Sequence, residues 1–418
     1  MFFLPLVRAL RLPRIRRRAL LTLAVLALLR LGQHLPLPGV DVHAVRERDL
    51  FTGPVKLLSG NALPSLSVLG LSVFPYVAAW ALLDLAVLTV PRLNALAAEG
   101  AAGAARLRQY RRILTVPVAA VLAWAVVAAA ARLPVAEGHD VLHDRGLLLR
   151  VVMVVCLTAG AVLSMYLAEL VTNHGFGEGV SVLLAGQIMA VLPGEFGAVL
   201  EHRGVLAFAL LLALVPVTVF AKTLLVHAQR RVPVQYAKRM IGRRPFGGTP
   251  TYVPVRLGSE ARPVVFAVSL LFTLALLSSL VPHGGWLATL RTQLLDEGGS
   301  WYLVFLALLV IFSALCYAAI AFNPQEVADQ LWRHGGFVPG IRAGRPTAEY
   351  LHYVHARLAW AWSVGVCVLA LTVVGMSRLL GGESAFPYGG EAIFVVTSLV
   401  GAVLLEIETE RTLHAYGT

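Results

Sequence analysis

The sequence predicts an all-α polytopic membrane protein with ten transmembrane helices, and three observations carry that expectation. The 418 residues are 58% hydrophobic and only 14% charged, with a mean hydropathy of +0.76. A water-soluble chain carries nearer a quarter charged residues. The apolar residues come in blocks of about twenty, the length that crosses the hydrocarbon core of a bilayer. These blocks are continuous rather than alternating, which argues against a β-barrel. Finally, Arg-rich and Arg-poor loops alternate along the chain, as the positive-inside rule requires of a multi-pass protein.

The spans are read at roughly 19–35, 72–90, 113–133, 147–171, 180–193, 204–227, 263–281, 301–322, 358–380 and 390–406. The N-terminal stretch MFFLPLVRALRLPRIRRRALLTLAVLALLRLG is followed by HLPLPGV rather than by a small-residue cleavage site. It is therefore read as a retained first helix, not a signal peptide. The fifth span is near the lower limit for crossing. Between the first two lies LLSGNALPSLSVLGL, 57–71, interrupted by Gly60, Pro64 and Gly70. Such backbone survives at membrane depth only where protein or a water-filled cavity covers it. The segment is expected to fold back into a cavity on the outer side.

The basic loops set the orientation. Arg8, Arg11, Arg14, Arg16, Arg17 and Arg18 precede the first span, and Arg92, Arg106, Arg108, Arg111 and Arg112 follow the second. Arg230, Arg231, Lys238, Arg239, Arg243, Arg244 and Arg256 follow the sixth, and Arg333, Arg342 and Arg345 follow the eighth. The intervening loops are acidic: Glu137, Asp140 and Asp144, then Glu195 and Glu201, then Asp296 and Glu297. The short loop 172–179, with neither Lys nor Arg, is the exception. Both termini are thus expected in the cytoplasm. The net charge of +12 reads as membrane anchoring rather than as a nucleic-acid surface.

The cytoplasmic loops 228–262 and 323–357 are each about thirty residues, against two to eight for ordinary helix connections. Their mixture of Pro, aromatic and helix-forming residues points to ordered docking structures. The second contains GGFVPGIRAGRP, 335–346, with four Gly, two Pro and two Arg.

Catalytic motifs are missing: the sequence has no HExxH, GxSxG or Walker A pattern. Cys156, Cys316 and Cys367 fall in apolar blocks without metal-ligand spacing, so packing is their expected role. No enzyme activity, cofactor or metal is expected. His352 and His355, three apart on a helix without carboxylate partners, read as surface or interfacial histidines. Intramembrane charge is the default pointer to a coupled-ion pathway, and Asp84, Glu169 and Lys222 are the candidates. Glu169 and Lys222 lie near cytoplasmic ends, where they can snorkel. Asp84, in AAWALLDLAVL, sits deepest and fits either a proton-coupled secondary transporter or a polar seam between helices. One charge makes no relay.

Several stretches then identify a resemblance. They are LPLPGVD (35–41), FPYVAAW (74–80), LTVPRLNALAAEGAAGAARLRQYRRILTV (88–116), HGFGEGVSVLLAGQIMAVLP (174–193), RRVPVQYAKRMIGRR (230–244), TYVPVRL (251–257), FNPQEVADQLWRHGGFVPGIRAGRPTAEYL (322–351) and YGGEAIFVV (388–396). In this order they resemble the SecY family, the channel subunits of the bacterial Sec protein translocase. The resemblance implies two pseudo-symmetric five-helix halves, 1–193 and 194–418, around a central pore. It implies a protein-conducting channel of the bacterial inner membrane, passing unfolded preproteins and releasing transmembrane segments laterally into lipid. The implied partners are SecE, SecG, the SecA motor ATPase, the ribosome through its RNA, and signal-bearing preproteins.

Site residues follow from the same resemblance. The apolar pore ring falls on Val77, Ala81, Leu184, Ile188, Val265 and Val395, and the spacing of four puts each of the first two pairs on one helix face. The plug, a short re-entrant helix, falls on 57–71, with Leu57, Asn61 and Leu66. Arg243, Arg244 and Arg342 take the docking role for SecA or ribosome. Asp84, Gly258 and Glu260 fall at the lateral gate. Here the chain departs from the family: Asp84 replaces a usual Gln, LGSEARP (257–263) replaces an Asn-containing stretch, and Ala81 replaces a larger isoleucine. These departures suggest a divergent or second copy with altered client preference, and leave a non-conducting paralogue as an alternative.

Overall fold

The computed structural model describes residues 13–40, 59–131, 146–227, 230–236, 239–241, 244–246, 251–255, 261–278, 300–385, 393 and 396–397. The membrane part is helical: α1 Pro13–Gln33, α2 Phe74–Thr89, α3 Pro91–Ala98, α4 Ala101–Ala131, α5 Leu147–His174, α6 Gly179–His227, α7 Ala261–Ser278, α8 Ser300–Ala321 and α10 Arg345–Ala385. A further helix, α9 Pro324–Arg333, lies between α8 and α10. Helices lie at each expected span through 358–380; the tenth, 390–406, lies outside the described residues apart from 393 and 396–397. Among the described residues, five helices are long and apolar enough to cross a membrane, or six if the bent pair Phe74–Thr89 and Pro91–Ala97 is one span. Leu148, Val205 and Leu206 are 83%, 72% and 75% exposed. Such side chains belong in lipid, since water would leave them as a large unfavourable patch.

Breaks in the helices have local causes. Pro91 forces the residue before it out of the helical region; Val90 is extended (φ −101°, ψ 113°), and the chain turns by 104° into α3. Within α6, Gly204 adopts φ 82° and ψ 175° and separates the fifth span from the sixth.

α2 occupies the centre. Phe74, Val77, Ala79 and Ala81 are buried there, and the Phe74 ring stacks on Phe272 of α7 with centroids 3.9 Å apart. Segment 59–73 lies beneath this core as a succession of tight turns, not as the expected short re-entrant helix. Asn61, Leu66 and Ser72 adopt φ of 67°, 46° and 48°, and each left-handed residue interrupts helix propagation. The segment is instead held by backbone bonds to the stretch after α1: Leu37 N–H donates to the Leu66 carbonyl and Val68 N–H to that of Leu35, both at 2.9 Å.

The described residues of loops 228–262 and 323–357 hold secondary structure, including strands that the membrane-type periodicity did not announce. β1 Arg230–Tyr236, β2 Arg239–Ile241, β3 Arg244–Phe246, β4 Thr251–Val255 and β5 Gly336–Phe337 form a three-stranded sheet of order β4-β1-β5 and a β2-β3 pair. Antiparallel β1–β5 pairing joins Gln235 to Phe337, so the two loops share one sheet. The alternation in RRVPVQY turns Val232 and Val234 inward. They pack with Val255, Ala328, Leu331, Val338 and Leu351 in a core separate from the membrane core. α9 is capped by Asn323, whose side chain accepts from the N–H groups of Gln325 and Glu326.

Candidate functional site

Five of the six expected ring residues are described, and all are buried: Val77 2%, Ala81 2%, Leu184 1%, Ile188 0% and Val265 5% exposed. They come from α2, α6 and α7, and Val77, Leu184, Ile188 and Val265 belong to one contiguous apolar cluster. Val395 lies outside the described residues.

Segment 59–73 is seated against the ring helices. Leu66 is fully buried and Asn61 is exposed; Leu57 lies outside the described residues. The close approach of α5 requires Gly160, because a Cβ there would stand 2.0 Å from the Val68 carbonyl oxygen. Polar groups that the sequence reading did not single out hold both ends. Arg30 of α1 donates to the Gly60 carbonyl at 2.8 Å and to Gln33 Oε1 at 3.0 Å. The Gln33 amide donates to the Ser59 carbonyl at 3.4 Å, and the amide of Gln187, beside Ile188, donates to Ser72 Oγ. The available signal was a lone arginine late in the first span, where a charge is expensive unless paired.

A cavity of about 110 Å³ opens between α2, α4 and the start of α6 on one side and α7 and α8 on the other. Val77, Trp80, Asp84, Arg111, Val265 and Tyr317 line it. Asp84 Oδ1 is 2.9 Å from Arg111 Nη2, with the aspartate and arginine side chains 16% and 21% exposed. The same guanidinium lies 4.8 Å from the Trp80 ring centroid. The Asp84–Arg111 pair places a polar contact between α2 and α4. Gly258 and Glu260 lie outside the described residues.

Both of the other intramembrane charges have a partner within reach. Glu169 is held by Arg112, with Nε–Oε1 at 2.8 Å and Nη2–Oε2 at 2.7 Å, a two-pronged pair that α4 presents and that Tyr76 OH joins at 3.4 Å. Lys222 is 3% exposed and its Nζ donates to Thr397 Oγ1 at 2.9 Å. A partner within reach competes with the interface for each charge, and hydrocarbon favours the partner. His355 is likewise buried rather than interfacial, 6% exposed and stacked on Phe322 at 4.8 Å.

In the loop between α9 and α10 Arg342 is exposed in a turn where Gly340 and Gly344 adopt φ of 84° and 97°, values that glycine takes without strain. The Arg342 carbonyl accepts Thr347 Oγ1 at 2.8 Å, which fixes the backbone while the side chain stays outside. Among the described residues no carboxylate pairs with it; Arg345, by contrast, meets Glu349 at 3.1 Å. Arg244 lies on β3, and Arg243 lies outside the described residues.

Comparison with known proteins bears directly on this arrangement. The SecY family model matches residues 67–404. The protein translocase subunit SecY of Streptomyces galbus is 38% identical over 428 aligned positions, covering 98% of this chain and 98% of that one. A solved structure described as a protein conducting channel superposes with a TM-score of 0.61 at 14% identity, over 95% of this chain and 93% of that one. The yeast Ssh1 complex bound to the 80S ribosome gives 0.63 at 14% identity, over 94% and 90%. Those structural likenesses show a shared fold, that of the SecY and Sec61 channels. The family match spans most of the sequence, the identity to a full-length relative is well above chance, and on both counts the chain belongs to the SecY family.

Proposed function

We propose that this chain is the protein-conducting channel of a Sec translocon, passing unfolded preproteins across a membrane and releasing transmembrane segments sideways into lipid. The observation that carries this reading is the buried apolar ring of Val77, Ala81, Leu184, Ile188 and Val265, seated on the turn-rich segment 59–73 in a chain of this family. Aliphatic side chains form no hydrogen bonds, so a ring of them closes on chains of any sequence without gripping one. A narrow apolar constriction also sheds water and resists ion flow.

The finer assignments rest on the same reading. The halves 1–193 and 194–418 part around the ring, with Val395 completing it and 57–71 as the plug. The cavity beside Asp84 opens toward lipid as the lateral gate, with Gly258 and Glu260. SecE and SecG complete the complex in the bacterial inner membrane, and both termini face the cytoplasm. Arg342, with Arg243 and Arg244, docks SecA or the ribosome. An exposed guanidinium on a glycine-framed turn suits a carboxylate of a motor or a phosphate of RNA, both of which match its planar fork. The driving energy belongs to the partner. Proton-coupled transport gains no support: among the described residues Asp84 and Glu169 each face an arginine and form no chain of titratable groups with one another.

The test is SecA-driven uptake of a signal-bearing preprotein into proteoliposomes containing the chain with SecE and SecG. Uptake by the wild type, lost in Arg342→Glu while the fold is retained, is the expected result. No uptake by folded wild-type complex would overturn the conducting role in favour of a non-conducting paralogue.

A further inference from the structure

Arg30 is a charge inside the first span, where an unpaired guanidinium is strongly unfavourable. Among the described residues no carboxylate meets it. It donates instead to the Gly60 carbonyl at 2.8 Å and to Gln33 Oε1 at 3.0 Å. Gly60 is wedged at this point. It adopts φ 65°, and a Cβ on it would lie 3.1 Å from Gln187 Cβ, 3.3 Å from the Gln187 carbonyl and 3.4 Å from Arg30 Nη1. Gln187 therefore touches the segment twice: it packs on Gly60 at the near end, and its amide donates to Ser72 Oγ at the far end. It also sits on the ring helix, three residues after Leu184 and one before Ile188. Its own Oε1 is buried without a hydrogen-bond partner.

We propose that Arg30, Gln33 and Gln187 form a polar latch that holds segment 59–73 closed beneath the ring, and that movement of the ring helix releases it. The proposal rests on the channel reading. Arg30 and Gln33 grip the two carbonyls where the segment begins. Gln187 closes the loop of chain upon itself by meeting both of its ends. A client chain that displaces Leu184 and Ile188 carries Gln187 with them, so one displacement unseats Gly60 and Ser72 together. The unmet Gln187 Oε1 makes the closed arrangement easier to leave, since a buried acceptor gains a bond when water reaches it. Arg30 is a positioning residue in this scheme and touches no client.

The test follows the position of the segment itself. Ser67 is 1% exposed and differs from cysteine by a single atom. A Ser67→Cys chain, with Cys156, Cys316 and Cys367 replaced by alanine, is reconstituted with its partner subunits. It is then treated from the outer side with a membrane-impermeant maleimide. The parent should label slowly. Arg30→Met and Gln187→Leu should each label about tenfold faster, the scale of one lost charge-assisted or buried hydrogen bond acting through local opening. Arg30→Lys, which keeps the charge but not the fork, should fall between. Thermal unfolding of the complexes should change little, which separates a latch from a general loss of structure. Labelling of Arg30→Met at the parent rate would overturn the latch. If that variant does not fold, Gln33→Leu and Gln187→Leu decide it by the same measurement. Deleting residues 59–70 and recording ion conductance in planar bilayers tests the channel reading separately. No conductance from the deletion would sink that reading, while the labelling rates would still decide whether the segment is latched.

Discussion

Asp84 and Arg111 give the sharpest energetic prediction, because their surroundings are unequal. At an effective dielectric constant of about 20, two charges 4 Å apart attract by about 4 kcal/mol. Their 2.9 Å contact at 16% and 21% side-chain exposure recovers only part of that after desolvation. A coupling of about 1–2 kcal/mol is the expected net. Arg111→Gln removes the guanidinium that Asp84 faces and leaves the carboxylate in a cavity whose opposite wall presents Pro263, Val265 and Phe266 beside Ser313, Cys316 and Tyr317. That should destabilise by about 2 kcal/mol, short of the cost of an uncompensated buried charge. Asp84→Asn leaves Arg111 its contact with Trp80 at 4.8 Å, a contact type worth about 0.5–2 kcal/mol, so the loss should be nearer 1 kcal/mol.

The ordering Arg111→Gln worse than Asp84→Asn is the physical content, and the double variant should be less damaged than the sum of the two. Unfolding of the purified chain in mixed micelles, titrated with dodecyl sulfate and followed by tryptophan fluorescence, measures all four members of the cycle. Additive single losses, or a larger loss for Asp84→Asn, would refute the reasoning. A separate variant bears on the proposed gate: Asp84→Gln, which restores the residue usual in the resembled family, should change how strongly transport depends on a signal sequence.

Three further outcomes follow from single contacts. Glu169→Gln gives up one ionic partner of the two-pronged Arg112 pair and should lower stability by about 1–2 kcal/mol, with no change in the same titration counting against an energetic role. Gly160→Val places atoms within 2.0 Å of the Val68 carbonyl and should force segment 59–73 outward, raising Ser67→Cys labelling by the maleimide assay; unaltered labelling would mean that α5 yields instead. Leu351→Ala removes a fully buried side chain from the cytoplasmic core, a deletion worth about 2–5 kcal/mol. Limited trypsin digestion should then cut loops 228–262 and 323–357 sooner, and cleavage at the wild-type rate would show that the loops hold without that core.

What the sequence revealed follows the range of each interaction. Helix positions were legible because a bilayer imposes a length and an apolar composition on every span, and both are local properties of the chain. The broken character of 57–71 was legible for the same reason, from Gly60, Pro64 and Gly70. Its tight-turn form was not, because the partners that hold the turns are far away in sequence: Leu35 and Leu37 bond to Val68 and Leu66, and Gly160 lies against Val68. The sheet of loops 228–262 and 323–357 was not legible because β5 is two residues long and exists only by pairing with β1 across some hundred residues. Pairings of charge escaped for a similar reason. Asp84 and Glu169 were visible as charges in apolar runs, yet Arg111 and Arg112 had been read as loop anchors. Only the helical geometry of α4, which turns consecutive residues about 100° apart, sends one toward α2 and the next toward α5.

That division of labour on α4 has a mechanical consequence. Arg111 ties α2 to α4 and Arg112 ties α5 to α4, while Arg30 and Gln187 tie segment 59–73 to α1 and α6. Every one of these bonds joins elements within the proposed half 1–193. Lys222 with Thr397 and Cys367 with the Ala307 carbonyl likewise stay within 194–418. The contacts described between α2 and α7 are of another kind: the stacked rings of Phe74 and Phe272 and the apolar cluster holding Val77 and Val265. Hydrogen bonds and ion pairs are short-ranged in angle and distance and resist shear. Dispersion contacts are individually small and can be exchanged for equivalent contacts with lipid or with an entering apolar segment. A cleft closed by such contacts between two internally bonded blocks parts at little net cost when an apolar client replaces them, whereas a polar client replaces nothing. On the proposed gating role, selectivity for hydrophobic segments at this cleft would come from such exchangeable contacts, and swapping Phe74 or Phe272 for another large apolar residue should preserve it, while a buried polar pair at those positions should abolish it.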